Sequence, residues 1–314
     1  MVEVQGRLIV SSRFTWRLFA LPGVAWLSVF FLVAFYAVIC VAFGNQDTLS
    51  QPVPFWNPFD WNVGYLFSVL HNVFHGGQFL TLFVRTLLFV ALALALSLLV
   101  GYPVAYFAAR HAGRWRGLVL VLLIVPFWIN YLMRMLAWIN LLSPGGWGTT
   151  VLHDLGIERL FLTFGLLSTH GGWLDGQSST VVFALIYGYI PFLILPLYAA
   201  LDRIDQRHIE AARDLGASPL SAFLRVTLPL SVPGILAGSV LVALPMFGDY
   251  YTPDLVCAAP KCSMIGNQID QFTRQGSEKV SGAVLTLLLS LVLLVLMYYY
   301  LRTTRRAGAA AAQT

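Results

Sequence analysis

Two short stretches of this chain carry side chains whose types and spacing can do chemistry. Met246-Phe-Gly-Asp-Tyr-Tyr-Thr-Pro-Asp254 places Asp249 and Asp254 on either side of Tyr250 and Tyr251. A carboxylate flanked by aromatic rings suits an ammonium group, because charge pairing and cation–π attraction act together. The second stretch, Glu210-Ala211-Ala212-Arg213-Asp214-Leu215-Gly216, is a hydrophilic interruption between two apolar runs and continues to Leu228-Pro229. Unpaired charge is costly in lipid, so this stretch belongs in water, where it offers a docking surface for a soluble partner.

Nothing in the sequence converges on catalysis. A phosphate-cradling loop needs Gly-Lys-Ser/Thr, and the two lysines, Lys261 and Lys279, neither follow glycine nor precede Ser or Thr. Any ATP and Mg must therefore sit on another chain. The zinc helix His-Glu-x-x-His and the nucleophile elbow Gly-x-Ser-x-Gly are both missing. The histidines at 71, 75, 111, 153, 170 and 208 are scattered, and the His71/His75 pair lacks a third ligand. No catalytic, cofactor-binding or metal-binding residue is assigned. Cys40 reads as a small packing residue. Cys257 and Cys262, separated by four residues, are open to two readings: a disulfide in an oxidising compartment or two free thiols.

The elements that must position these stretches are membrane spans. Of 314 residues, 58% are hydrophobic and 11% charged, against about 25% charged in soluble domains. Six apolar runs reach the roughly 20 residues that cross a bilayer core: about 18–43, 81–108, 117–142, 180–200, 233–253 and 282–301. The reading is an all-α polytopic membrane protein with six transmembrane helices. The run from Leu18 is too long for a signal-peptide core and reads as a retained first span. Pro191, Pro196, Pro233 and Pro245 fall in the fourth and fifth spans, either as simple kinks or as bends lining a cavity.

Charge sets the expected orientation. Thirteen of the 19 Lys and Arg fall in one set of segments: Arg7, Arg13 and Arg17; Arg110, Arg114 and Arg116; Arg203, Arg207, Arg213 and Arg225; Arg302, Arg305 and Arg306. The opposite loops hold Arg159, Lys261, Arg274 and Lys279. The positive-inside rule puts both termini and the Glu210 stretch in the cytoplasm. This divides the chain into a cytoplasmic segment 1–17, a six-span domain 18–301 with a cytoplasmic loop 201–232, and a cytoplasmic tail 302–314. The outer loops carry Asp47, Asp60, Asp154, Glu158, Asp175, Asp254, Asp270 and Glu278. They form either an acidic mouth that concentrates cations or ordinary solubilising charge. Nucleic-acid binding is excluded as a reading, because the arginines spread over several segments instead of gathering with aromatic platforms.

Within the 201–232 loop, Ile204, His208, Ala211, Ala212 and Leu215 recur at helical spacing. Gly216 suits the left-handed position past a helix end, and Ser218-Pro219 reads as the cap and first residue of a second helix with Leu220, Phe223 and Leu224 on its apolar face. The alternative is an amphipathic helix lying on lipid.

The stretch Glu210-Ala-Ala-Arg-Asp-Leu-Gly216, with Leu228-Pro229 twelve residues on, resembles the EAA loop of ABC importer permeases. Leu99-Val-Gly-Tyr-Pro-Val-Ala-Tyr106, Ile124-Val-Pro-Phe-Trp-Ile-Asn130 with Arg134, and Ile265-Gly-Asn-Gln-Ile269 resemble the spermidine/putrescine permeases, their B-type subunit in particular. The resemblance runs over about residues 80–300. It implies a type I ABC importer permease fold in the bacterial cytoplasmic (inner) membrane. It also implies partners: a homologous second permease, an ATPase dimer carrying ATP and Mg, and an extracytoplasmic substrate-binding protein. Glu210, Ala211, Ala212, Asp214 and Gly216 would then couple to the ATPase, and a polyamine would be the cargo. Asp249 departs from the resemblance, since an apolar residue is more usual there.

Intramembrane polar groups are the default candidates for a transport path. Besides Asp249, Tyr250, Tyr251 and Asp254, the third span offers Trp128, Asn130 and Tyr131, and the fourth Tyr187 and Tyr189. Aromatics at span ends also serve as interfacial belts. Arg134 is expected to pair with an acid or a backbone carbonyl across helices. Gly234-x-x-x-Gly238 is expected to allow close helix approach at a subunit interface. A permease for another small solute and an ion-coupled secondary transporter are the alternatives.

Overall fold

The computed structural model describes residues 2–47, 51–75, 78–156, 176–257, 259–274 and 279–311. Glu158, Arg159, His170, Asp175 and Glu278 lie outside the described residues. The helices are α1 (Val2–Ala42), α2 (Val63–His75), α3 (Gln78–Arg110), α4 (Arg116–Ile124), α5 (Tyr131–Leu142) and α6 (Trp147–Asp154). They continue with α7 (Ser178–Asp202), α8 (Gln206–Asp214), α9 (Pro219–Phe247), α10 (Tyr251–Val256), α11 (Ile265–Arg274) and α12 (Lys279–Ala311). Among the described residues the fold is all-helical apart from one antiparallel pairing of two residues each, Asn45–Gln46 with Pro52–Val53.

Five helical stretches are long and apolar enough to cross a bilayer: Phe19–Ala42, Phe79–Arg110, Ser178–Asp202, Pro219–Phe247 and Lys279–Arg302. A bent pair, Gly113–Trp128 with Tyr131–Leu142, stands where the sixth was expected; it has the length and apolarity of a span but turns by 89°. The expected continuous span 117–142 is therefore corrected. Pro126 brings no amide hydrogen to the helix, the chain tightens to a 3-10 turn at Val125–Trp128, and Ile129 and Asn130 turn extended (ψ 136° and 141°). The Asn130 side chain then accepts from Leu132 N at 2.9 Å and restarts the helix. The expected fifth span 233–253 is also corrected. Its helix ends at Phe247, and Tyr251–Val256 is a separate short helix beyond Gly248 and Asp249.

The chain forms two compact units. One comprises Met1–Asn72 and Gln271–Ser290. In it Phe43 stacks on Trp61 at 4.6 Å, Asn62 donates to Asn45 at 2.7 Å, and the Tyr36 hydroxyl donates to the Trp56 carbonyl. The other comprises Val73–Asp270 and Leu291–Thr314 and holds both stretches singled out above. At its centre α7 packs against α3 and α9, which buries Leu185, Leu193, Ile194, Leu197 and Leu201.

Small residues permit this approach. A methyl group at Gly234 would lie 2.3 Å from the Ala200 Cβ, and one at Gly238 would lie 3.0 Å from the Leu193 carbonyl oxygen. The Gly234-x-x-x-Gly238 face thus packs inside the chain against α7, where a subunit interface was expected. Overpacking of a close-packed contact costs about 1–3 kcal/mol. Gly234→Val should accordingly lower the melting temperature in detergent, and adding Ala200→Gly should restore part of the loss.

Candidate functional site

Two helix breaks supply the site. Tyr131 is the first residue of α5, directly after the break at Ile129 and Asn130. Its ring lies on the backbone of α7, where a methyl group at Gly188 would come within 2.9 Å of Tyr131 Cε2. Asp249 lies in the second break, between α9 and α10, and is only 6% exposed.

Among the described residues, donors of the chain itself surround the Asp249 carboxylate. Oδ2 accepts from the Tyr131 hydroxyl at 3.0 Å, the Tyr189 hydroxyl at 3.2 Å and the Thr252 hydroxyl at 2.6 Å. Oδ1 accepts from the Thr252 amide at 3.0 Å, which also secures the first turn of α10. The Tyr131 and Thr252 hydroxyls touch one another as well. Bonds to a charged acceptor are worth roughly 1.5–3 kcal/mol each, and they offset the cost of burying this carboxylate.

The other sequence-predicted residues divide around this knot. The Asn267 side chain, fully buried, donates to the Tyr250 carbonyl and to Asp254 Oδ1, both at 2.7 Å, and accepts from Met264 N at 2.9 Å. It ties the Tyr250 backbone to Asp254, and the Tyr250 and Tyr251 rings lie 3.9 Å apart, tilted by 32°. Gly266 abuts the Gly248 and Asp249 carbonyl oxygens so closely that a methyl group would lie 2.8 Å from each. Cys257 and Cys262 are joined by a disulfide, Cα–Cα 6.2 Å. Trp128 is 83% exposed and stands apart from the knot, and Asn130 is committed to capping α5.

Arg134, 7% exposed, departs from expectation. Among the described residues no acid lies within ion-pair distance, and its Nε and Nη1 are buried without a hydrogen-bond partner. Its guanidinium sits instead among aromatic rings, 4.1 Å from the Phe127 centroid, 5.5 Å from Tyr131 and 5.9 Å from Tyr187. Tyr187 also borders a cavity of about 700 Å³ lined by apolar side chains, Trp138, Leu142, Trp147 and Phe183 among them.

Sequence reasoning missed Thr252 and Asn267 as site residues. The Asp249-x-x-Thr252 spacing is that of a side chain capping a helix start. Asn267 stood in a stretch quoted only for its resemblance.

The hydrophilic stretch is a helix–turn–helix held by its own caps. Asp205 accepts from Arg207 N at 3.0 Å to start α8. The far end closes as a Schellman motif, with Gly216 N bonded to Arg213 O, Ala217 N to Ala212 O, and Gly216 at φ +86°. Ser218 then accepts from Ser221 N at 3.2 Å to start α9. Glu210, Ala211, Asp214 and Gly216 are exposed, with Ala212 partly so. Leu215 is 90% and Leu220 67% exposed, whereas Phe223, expected beside Leu220, turns inward.

Continuous and broken spans, with a capped hydrophilic helix–turn–helix joining two of them, make a multi-pass membrane architecture. The profile of the family described as "Binding-protein-dependent transport system inner membrane component" matches residues 101–306, and the chain belongs to that family. It is therefore a membrane permease component located in the inner membrane. It is 40% identical over 182 residues to the Spermidine/putrescine transport system permease protein PotB of Haemophilus influenzae, covering 57% of this chain and 60% of that one. It is 39% identical over 163 residues to the protein of the same name in Escherichia coli K12, covering 52% and 55%. The match spans little more than half the length of these curated relatives. Among solved structures, a chain of a bacterial ABC transporter involved in the import of the acidic polysaccharide alginate superposes with TM-score 0.67 at 20% identity, covering 96% of this chain and 99% of that one. This likeness is one of fold.

The knot generates a stability prediction. Tyr131→Phe and Tyr189→Phe each remove one donor to Asp249, at about 0.5–3 kcal/mol apiece. Because both serve the same oxygen, the double variant should depart from additivity, measurable as detergent melting temperatures of the two single variants and the double.

Proposed function

We propose that this chain is the membrane-spanning permease of an importer that carries a polyamine into the cytoplasm. It would use ATP hydrolysed on a separate ATPase dimer. The observation that carries the reading is the buried Asp249 carboxylate ringed by Tyr131, Tyr189 and Thr252 at the meeting of two helix breaks. The spermidine/putrescine names of the relatives support the cargo class. A carboxylate beside tyrosine faces accepts an alkylammonium through charge and cation–π attraction. As the helices shift, the cargo ammonium takes the place of hydroxyl donors that hold Asp249 in the closed arrangement.

The partners proposed are a homologous second permease, the ATPase dimer and an extracytoplasmic binding protein that delivers cargo. ATP and Mg bind on the ATPase, and both termini of the chain are cytoplasmic. Closure of the ATPase dimer moves α8, and the exposed Glu210–Gly216 surface is where the dimer engages it. The cargo is then passed through alternating access. Trp128, Asn130, Tyr187, Tyr250, Tyr251 and Asp254 flank the path on this reading. A second cargo, an amine that also carries a carboxylate, is favoured by Arg134, whose buried donors lack acceptors beside the same Tyr131 ring. An ion-coupled secondary transporter is the alternative of another class, and ATP dependence separates it.

The test is uptake of radiolabelled spermidine and putrescine into proteoliposomes holding the assembled transporter and its binding protein. Uptake should require ATP and fall at least about tenfold, equivalent to roughly 1.4 kcal/mol, in Asp249→Asn and in Glu210→Lys. Hydrolysis stimulated by the binding protein without polyamine uptake would retain the permease and discard the cargo. Uptake driven by an ion gradient with no ATP requirement would discard the ATPase coupling.

A further inference from the structure

Helix α8 does not hang free between its two spans. Arg110, the last residue of α3, reaches across to the turn that precedes α8, and its Nη2 donates to the Ile204 carbonyl at 2.6 Å. Just beyond, Arg116 at the start of α4 pairs with Asp202 at 3.6 Å, an exposed contact worth little by itself. On the other side of α8, Phe223 opens a π-helical turn, Phe223–Thr227, within α9. Such turns are rare, cost regular hydrogen bonding and concentrate at functional places.

This turn carries the Phe223 ring into α3. It meets Tyr102 edge-on at 5.7 Å (85°) and Tyr106 edge-on at 5.6 Å (87°), the favoured geometry for aromatic pairs. One helical turn further along α9, Ser231 donates to the Leu228 carbonyl at 2.8 Å. Its single hydrogen is thereby committed, so the 2.9 Å contact with Tyr102 has the tyrosine hydroxyl as donor. The neighbouring apolar groups Leu220 and Leu224 stay exposed, at 67% and 50%. Of Leu220, Phe223 and Leu224, Phe223 is the one placed against α3.

We propose that Arg110 and Phe223 are positioning residues that clamp the chain on both sides of α8 to the end of α3, so that α3 moves with α7 and α9 when α8 is displaced. The inference rests on the ATPase-coupled reading above and adds α3 to the spanning helices that move with α8. Arg110 holds the chain entering α8 through the Ile204 carbonyl. Phe223 holds the chain leaving it by filling the slot between two tyrosines. Displacing α8 with its flanking turns past a fixed α3 would break a short charge-assisted hydrogen bond and two ring contacts together, whereas joint movement with α3 keeps them all.

The test uses the assembled transporter with its ATPase and binding protein, in wild type, Phe223→Ala and Arg110→Gln. Two quantities are read: ATP hydrolysed per cargo molecule imported, and ATP-induced change in amide hydrogen exchange at residues 206–217 and 105–112. In wild type both segments should respond to ATP. In the variants the response at 206–217 should persist and that at 105–112 should be lost, while ATP consumed per import rises at least about fivefold, the lower end of typical coupling between sites. Arg110→Lys, which keeps one donor for the Ile204 carbonyl, should lie between. Phe223→Leu serves if the alanine variant does not assemble.

A ratio that stays at the wild-type value, with hydrolysis and uptake retained or falling together, would overturn the clamp. So would a wild-type response at 206–217 with none at 105–112. The absence of any ATP response at 206–217 would overturn the ATPase-coupled reading and the clamp with it, a result distinct from the other two.

Discussion

A polypeptide broken inside a bilayer exposes amide groups that lipid cannot satisfy, and this constraint organises the molecule. The chain breaks a spanning segment at Ile129 and Asn130 and ends another at Phe247. At each break a polar side chain supplies what the backbone lost. Asn130 takes the Leu132 amide, and Asp249 takes the Thr252 amide. A buried carboxylate in turn needs donors for its remaining lone pairs, and the Tyr131 hydroxyl comes from the residue that follows the other break. The two breaks therefore satisfy each other. The place where helices are interrupted is also the place where intramembrane polar groups gather.

That arrangement accounts for the small residues around it. Tyr131 reaches Asp249 by lying on Gly188, and the Asp249 segment is covered by Gly266, each leaving no room for a methyl group. Asn267 completes the enclosure from α11 by bonding the Tyr250 carbonyl and Asp254. Arg134 is the group this economy leaves out. Its charge is met by the faces of Phe127, Tyr131 and Tyr187, while two of its nitrogens find no acceptor among the described residues. A buried donor without an acceptor is costly, and the three ring faces offset part of that cost.

Much of this was legible in the sequence, and the failures have physical reasons. Hydropathy located the five spanning helices and the bent pair because burial in lipid demands long apolar runs. It missed both interruptions because Ile129 and Gly248 are as apolar as their neighbours, and only the paired cues of Pro126 with Asn130, and of Gly248 with Asp249, signalled a stop. Gly216 and Ser218-Pro219 marked the turn after α8 because left-handed backbone and a helix cap each demand particular residue types. Ideal helical periodicity grouped Phe223 with Leu220 and Leu224 on one apolar face, whereas only Phe223 of the three turns inward. The π-turn at Phe223–Thr227 shifts that register, which a fixed period does not anticipate. The Gly234 and Gly238 pair announced close approach correctly but not against what, since spacing on one helix says nothing of which neighbour it meets.

The covalent path gives the two stretches a common frame. Helix α8 is bounded by α7, which ends at Asp202, and by α9, which begins at Pro219. Tyr189 on α7 and Asp249 just past the end of α9 are hydrogen-bonded to each other at 3.2 Å. The knot thus closes a loop that runs up α9 and back along α7 to the same hydrophilic turn. Over the 29 residues of α9 the rise is about 43 Å at 1.5 Å per residue, enough to cover the thickness of a bilayer core. Close packing through Gly234 and Gly238 keeps α9 from sliding on α7 without cost, because interiors packed to crystal density transmit displacement instead of absorbing it. A pull on α8 that tilted α7 and α9 together would leave the Tyr189–Asp249 contact intact. What it would strain is the bond to Tyr131, which comes from α5 on the far side of a break and is not carried by that loop.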